Sequence, residues 1–230
     1  MRIGILQTGH VPDTLRDDFP SYALMFERLL AGHGFTFAHW MAVDMDFPAG
    51  PADADGWLIT GSRHGAYEDL PFIPPLEQLI RDIHAAQRPL VGICFGHQII
   101  AQALGGTVEK APAGWAVGPT TYSFDDRSVR LMAWHQDQVT QLPEGARVLG
   151  GNAFCPYGML GYGDSILTVQ AHPEFDPDFV TGLIDTRGRG VVPDAQLDRA
   201  KADLTDHIDK PYLATRIAAF FLAHQEAPNV

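Results

Sequence analysis

Two short stretches hold residues that could do covalent chemistry. In Gly92-Ile93-Cys94-Phe95-Gly96-His97-Gln98 a cysteine stands between two glycines. Arg88-Pro89-Leu90-Val91 before it is short and apolar enough at its end for a buried strand. After it, Ile99, Ile100, Ala103 and Leu104 keep helical spacing until Gly105-Gly106. A cysteine where a strand turns into a helix, in the pattern G-x-C-x-G, is a nucleophile elbow. A side chain at Gly92 or Gly96 would strike neighbouring backbone. The sulfur is then left clear of the strand end, beside the first free N–H groups of the helix, whose dipole favours a thiolate. The other reading is a buried structural cysteine at a tight turn.

A thiol is mostly protonated at neutral pH, so this chemistry needs a base. Of ten histidines, His172 fits best, in Val169-Gln170-Ala171-His172-Pro173-Glu174-Phe175. Pro173 stops a strand there and holds His172 out of helix. Glu174, two residues on, can fold back to fix the imidazole's tautomer and orientation, which completes a nucleophile–base–orienter set. Alternatively His172 is a strand-end histidine held by a carbonyl, and Glu174 an acid in the first turn of the next helix.

The elements that must position these groups follow from periodicity. Arg2 to Leu6 reads as a first strand, and Tyr22, Met25, Phe26, Leu29 and Leu30 form one helical stripe. Phe35 to Trp40 and Gly56 to Thr60 read as strands, with a surface loop over 42–55 between them. Pro74-Pro75 opens a helix over Leu76 to Ile83. The order strand, helix, strand, strand, helix, strand, helix predicts a flavodoxin-like, doubly wound α/β fold with a mostly parallel central sheet and helices on both faces. Ligands of such sheets sit at the carboxyl ends of the strands, so Gln7 to His10, Gly61 to Gly65 and Cys94 should share one rim. Thr107–Val108, Val117–Phe124, Val129–Ala133, Ala146–Gly151, Gly158–Tyr162 and Ile166–Gln170 are short and turn-separated, which predicts an added antiparallel portion. Helices are expected from Asp178 to Asp185, from Ala195 to His207, and around Leu213, Ile217, Phe220 and Phe221. Arg187-Gly188-Arg189-Gly190 follows a helix rather than a strand, so it reads as a basic turn, not a phosphate loop.

Residues 1–230 read as a single domain, with no repeat and no linker rich enough to divide it. A 46% hydrophobic content suffices for a full core, and the net charge of −12 argues against nucleic-acid and anionic-membrane partners. No apolar run has the length of a membrane span, and Gln7, His10 and Asp13 break any signal-peptide core. The two cysteines, Cys94 and Cys155, predict no disulfide, which fits a cytoplasmic location. No Cys or His pair has zinc spacing, so no metal is expected.

Together G-I-C-F-G-H-Q, T-G-S-R at Thr60 to Arg63, and Q-A-H-P-E-F resemble a class I glutamine amidotransferase domain, over most of the chain up to about Phe175. The resemblance implies Cys94 as nucleophile, His172 as base and acid, and Glu174 as orienter. It also implies a γ-glutamyl thioester hydrolysed by water, ammonia as product and no cofactor. Gln98 matches the family glutamine that contacts the substrate's side-chain amide. Trp134-His135-Gln136-Asp137 is similar to the segment holding the substrate's α-amino group, with Asp137 as its charge partner. Where the family commonly has S-G-G-P, this chain has Thr60-Gly61-Ser62-Arg63. Gly61 then lies against the substrate, and backbone N–H groups of Ser62 and Phe95 form the oxyanion hole. Too few of the 230 residues remain for a synthetase domain, so none is expected within them. The substrate is glutamine or another γ-glutamyl compound. The chain either hands ammonia to a separate synthetase subunit or resembles the stand-alone γ-glutamyl peptidases of plants, which act on glutathione conjugates. A related cysteine family of chaperone-like and peptidase proteins is disfavoured by H-P-E and Gln98. A non-catalytic binding or regulatory subunit would be favoured by a broken triad. The polar groups identified in this way all fall on the glutamyl side, which predicts a site permissive about what leaves.

Overall fold

Short apolar strands buried on both faces build the centre of the molecule, which is a computed structural model describing residues 1–125, 127–204 and 207–225. The first half contains β1 (Arg2–Leu6), α1 (Tyr22–Leu29), β2 (Thr36–Trp40), β3 (Gly56–Ile59), α2 (Ile73–Ala85), β4 (Leu90–Ile93) and α3 (Phe95–Ala103). Its four strands all run parallel, with β1 between β2 and β3, and β3 beside β4. Neighbouring residues of one strand point to opposite faces. Leu58 and Val91 therefore join a core with Phe26, Leu213, Ile217 and Phe221, while Trp57, Ile59 and Leu90 join another with Leu76, Ile80 and Ile99. Ser21 caps α1 by accepting from the Leu24 N–H at 3.2 Å, a contact of the kind worth about 1 kcal/mol. The segment 42–55, expected as plain loop, contains two single 3₁₀ turns, Ala42–Asp44 and Pro51–Asp53.

The second half contains β5 (Thr107–Lys110), β6 (Ala116–Phe124), β7 (Arg127–His135), β8 (Asp137–Gln141), β9 (Ala146–Gly151), β10 (Met159–Tyr162) and β11 (Ile166–Val169). Helices α4 (Pro177–Leu183), α5 (Asp194–Asp203) and α6 (Lys210–Ala223) follow. The main sheet has nine strands in the order β2-β1-β3-β4-β11-β10-β9-β6-β7. The antiparallel portion is present, with two corrections. β11 lies parallel to β4 and belongs to the central sheet, its register pairing Val169 with Ile93. β5 pairs instead with β8, a strand the periodicity did not reveal, in a separate two-stranded sheet. A π-turn at Ile184–Gly188 extends α4. The predicted helix from Ala195 runs into Thr205 and Asp206, which lie outside the described residues. No helix among the described residues is long and apolar enough to cross a membrane.

The expected rim exists. The Thr8 hydroxyl donates to the Thr60 and Gly61 carbonyls at 3.0 and 3.2 Å, tying the β1 and β3 exit loops together. Gly96 N–H donates to the Thr60 carbonyl at 3.2 Å and draws the elbow against the same loop.

Candidate active site

Cys94 sits between β4 and α3, as the residue that caps α3, with φ +52° and ψ −101°. A positive φ on a non-glycine residue is strained and persists only where packing dictates it. The glycines explain how. A Cβ on Gly92 would lie 2.6 Å from the Gly96 carbonyl group, and one on Gly96 would run into the Ile59 carbonyl. Only two glycines let strand, turn and helix approach this closely.

His172 reaches the elbow because its backbone N–H donates to the Met132 carbonyl of β7 at 2.8 Å. Its Nδ1 lies 2.7 Å from Glu174 Oε1, and both side chains are buried. Phe175 stacks face to face on the imidazole, with centroids 3.9 Å apart and planes 7° apart. Burial by itself disfavours the charged imidazole, but the charges of Cys94 and Glu174, with their hydrogen bonds, outweigh it and raise the His172 pKa. Cys155 is a different case. It is 2% exposed, and burial pushes its thiol up to about 12.

The loop of Gly61 and Ser62 lies over the pair. A Cβ on Gly61 would be 2.8 Å from His172 Cε1 and 3.7 Å from Cys94 Cβ. Among the described residues, neither the Ser62 nor the Phe95 backbone N–H donates to a protein acceptor. Two free donors flanking a cysteine are what a developing oxyanion requires. The Ser62 hydroxyl is turned to the His64 N–H at 3.2 Å.

Gln98 and Asp137 both line the cavity, with added detail. The Gln98 amide nitrogen donates to the Asp137 carbonyl at 2.8 Å and to Gln170 Oε1 at 3.1 Å. With both N–H groups engaged inside the protein, Gln98 can offer a ligand only its oxygen. Asp137 is not alone. Tyr67 donates to it at 3.2 Å, and the Lys110 ammonium stands 3.7 Å from its other oxygen. That carboxylate raises the pKa of Lys110, so the pair offers an anion and a cation side by side.

Sequence reasoning missed several residues here. Gln170 directs its amide nitrogen at Cys94 Sγ, 3.6 Å away. Its position two residues before His172 was the available signal, since alternate strand residues share a face. Lys110, Trp115 and Arg187, none of them singled out as site residues by the sequence, also line the cavity, whose volume is about 410 Å³. The basic turn at Arg187 is present, but one of its arginines faces this cavity while Arg189 pairs with Asp194 and Asp198.

The fold and site define a flavodoxin-like α/β protein with a strained cysteine at a strand–helix elbow and a histidine–carboxylate pair beside it. The family described as glutamine amidotransferase class-I matches residues 44–179, and the chain belongs to it. It is 32% identical to gamma-glutamyl peptidase 4 of Arabidopsis thaliana over 73% of each chain. It is 32% identical to a GMP synthase of Bordetella parapertussis over 52% of this chain, a match spanning 25% of that enzyme. Among solved structures, a glutamine amidotransferase of Methylobacillus flagellatus superposes with a TM-score of 0.77 and 21% identity, covering 100% of this chain and 96% of that one.

Proposed function

We propose that this protein hydrolyses a γ-glutamyl amide through Cys94. The observation that carries the reading is the strained Cys94 at the head of α3, facing a buried His172–Glu174 pair held at 2.7 Å. The Cys94 thiolate attacks the γ-carbonyl carbon, and the Ser62 and Phe95 N–H groups receive the oxyanion. The C–N bond breaks as the His172 imidazolium gives its proton to the leaving nitrogen. A γ-glutamyl thioester remains. His172, now neutral, takes a proton from water, the hydroxide attacks the thioester, and Cys94 leaves as thiolate with glutamate as product. Glu174 holds the imidazole in the tautomer this sequence needs. Asp137 binds the substrate's α-ammonium, and the Gln98 oxygen accepts from the scissile amide. No cofactor enters these steps.

Two versions share this chemistry. In one, glutamine is the substrate and ammonia passes to a separate synthetase subunit, which the similarity to part of a GMP synthase supports. In the other, a larger γ-glutamyl compound is cleaved and no acceptor is needed. Similarity over about three quarters of both chains to a gamma-glutamyl peptidase supports the second.

Glutamate release from γ-glutamyl compounds tests the reading common to both. Cys94→Ala should abolish it. Glu174→Gln should leave a residue of activity, since an orienter acts through the imidazole and general acid–base help is worth about 10² to 10⁴ in rate. Equal activities in the two variants would overturn the assigned roles.

A further inference from the structure

The cavity beside Cys94 extends beyond what a glutamyl group requires. Its second part is walled by Trp115, Trp134, Leu183 and Val191 and bordered by Arg187. Three observations say what belongs there.

The first is position. The leaving nitrogen must meet His172, which protonates it. His172 pairs with Met132, and Trp134, two residues further along β7, stands on the same face. Phe175 covers the imidazole, Tyr22 stacks on Phe175 with centroids 6.3 Å apart, and the Tyr22 hydroxyl meets the Arg187 guanidinium. This chain of contacts leads from the base to Arg187. Asp137 has different neighbours, namely Tyr67, Lys110 and Gly65.

The second is charge. Arg187 is half-buried and donates to the His10 carbonyl at 3.1 Å, but it has no carboxylate partner among the described residues. A cation already removed from much of its water binds an incoming carboxylate at reduced desolvation cost, and a guanidinium fits one with two parallel hydrogen bonds.

The third is shape. The Trp115 and Trp134 rings lie 6.4 Å apart at 59°, and Val191 is 61% exposed at the same wall. Ammonia, similar in size to a water of about 30 Å³, would leave these side chains without a contact.

We propose that this region is the leaving-group subsite, and that it selects an amine carrying a large apolar side chain and a carboxylate. The preferred substrate class is therefore a γ-glutamyl dipeptide of an apolar or aromatic amino acid, not glutamine. The claim rests on Cys94 forming the γ-glutamyl thioester. The amide C–N bond breaks, the α-nitrogen takes the His172 proton, and the free amino acid departs before water enters.

The test compares γ-glutamyltryptophan, γ-glutamyltryptamine (which lacks the carboxylate), γ-glutamylglycine and glutamine, with glutamate release as readout on the full chain. In the wild type, kcat/KM for γ-glutamyltryptophan should exceed that for the tryptamine amide by about 10- to 100-fold, the worth of a hydrogen bond to a charged group. Arg187→Gln should erase that ratio, and Arg187→Lys should restore part of it. Trp134→Ala should collapse the preference for tryptophan over glycine. Each readout is a ratio within one variant, so a smaller folded fraction cancels. Glutamine cleaved as well as γ-glutamyltryptophan, or a ratio unmoved by Arg187→Gln, overturns the subsite. A diazoketone analogue of glutamine has no leaving amine and separates the two claims. If it labels Cys94 while the ratios are flat, only the subsite is wrong. If it fails to label Cys94, the thioester reading falls and the subsite with it.

Discussion

Two thiols of one chain are expected to behave differently because their surroundings differ. Cys94 heads a helix, with His172 and the Gln170 amide beside its sulfur. Cys155 is packed among Tyr122, Met159 and other apolar side chains, and burial holds its thiol near 12. The thiolate is the reactive form, and it needs nearby positive charge or donors. Limited alkylation near neutral pH, followed by mass mapping, should therefore find Cys94 modified first, with Cys155 reacting only on unfolding. Reaction of Cys155 first would remove the basis for choosing between them. Asp137 illustrates a different local lesson. Its carboxylate already has Lys110 at 3.7 Å, so in the role proposed for it a bound α-ammonium would share it with a resident cation.

At the scale of elements, the site depends on how closely β3, α3 and the 60–62 loop approach. Gly61 and Gly96 belong to the same junction and should respond differently to an added methyl. On Gly61 the methyl meets the His172 ring and the Cys94 side chain, not backbone. Gly61→Ala should fold with stability close to wild type while hydrolysis falls by about 10²-fold, the scale of a 1 Å misplacement of reacting groups. On Gly96 it meets the Ile59 backbone, and Gly96→Ala should lower stability by about 1–3 kcal/mol or more. Denaturant melts alongside kinetics would separate the two. A Gly61→Ala variant with full activity would show that the loop does not fix the imidazole.

Across the whole molecule, buried histidines set opposing pH dependences. Burial lowers His97 to about 3 and His135 to about 4, so both are neutral inside the folded protein. Unfolded, each would titrate near about 6.5. Their contribution is therefore complete above that value and is lost as pH falls towards the folded values, by up to about 1.4 kcal/mol per pH unit for each group. His172 works in the other direction. Its pKa is raised in the fold, so its ion pair contributes fully below about 6.5 and is lost as pH rises through the folded value. Denaturant midpoints should decline from about pH 6.5 downwards, and His97→Gln should flatten that decline even if it lowers stability throughout. An unchanged acid slope in His97→Gln would show that this histidine does not drive it.

The elbow was readable from sequence because its cause is local. Two glycines at fixed spacing around Cys94, between an apolar run and a helical stripe, admit one backbone path. The same holds for His172 and Glu174, two residues apart across a proline, and for the order of the first seven elements. Pairing across long separations was not readable. β11 looks like the other short strands of the second half, yet it lies parallel to β4 and so carries His172 to Cys94. β8 lacks clear alternation and is fixed by its partner β5. Lys110 and Tyr67 meet Asp137, and Arg187 meets the cavity wall, only because distant segments fold onto one rim. Sterics and periodicity act over a few residues and leave marks in the sequence. Which strands pair, and which charges then face each other, depends on burying apolar faces from the whole chain at once, and only the tertiary structure decides that.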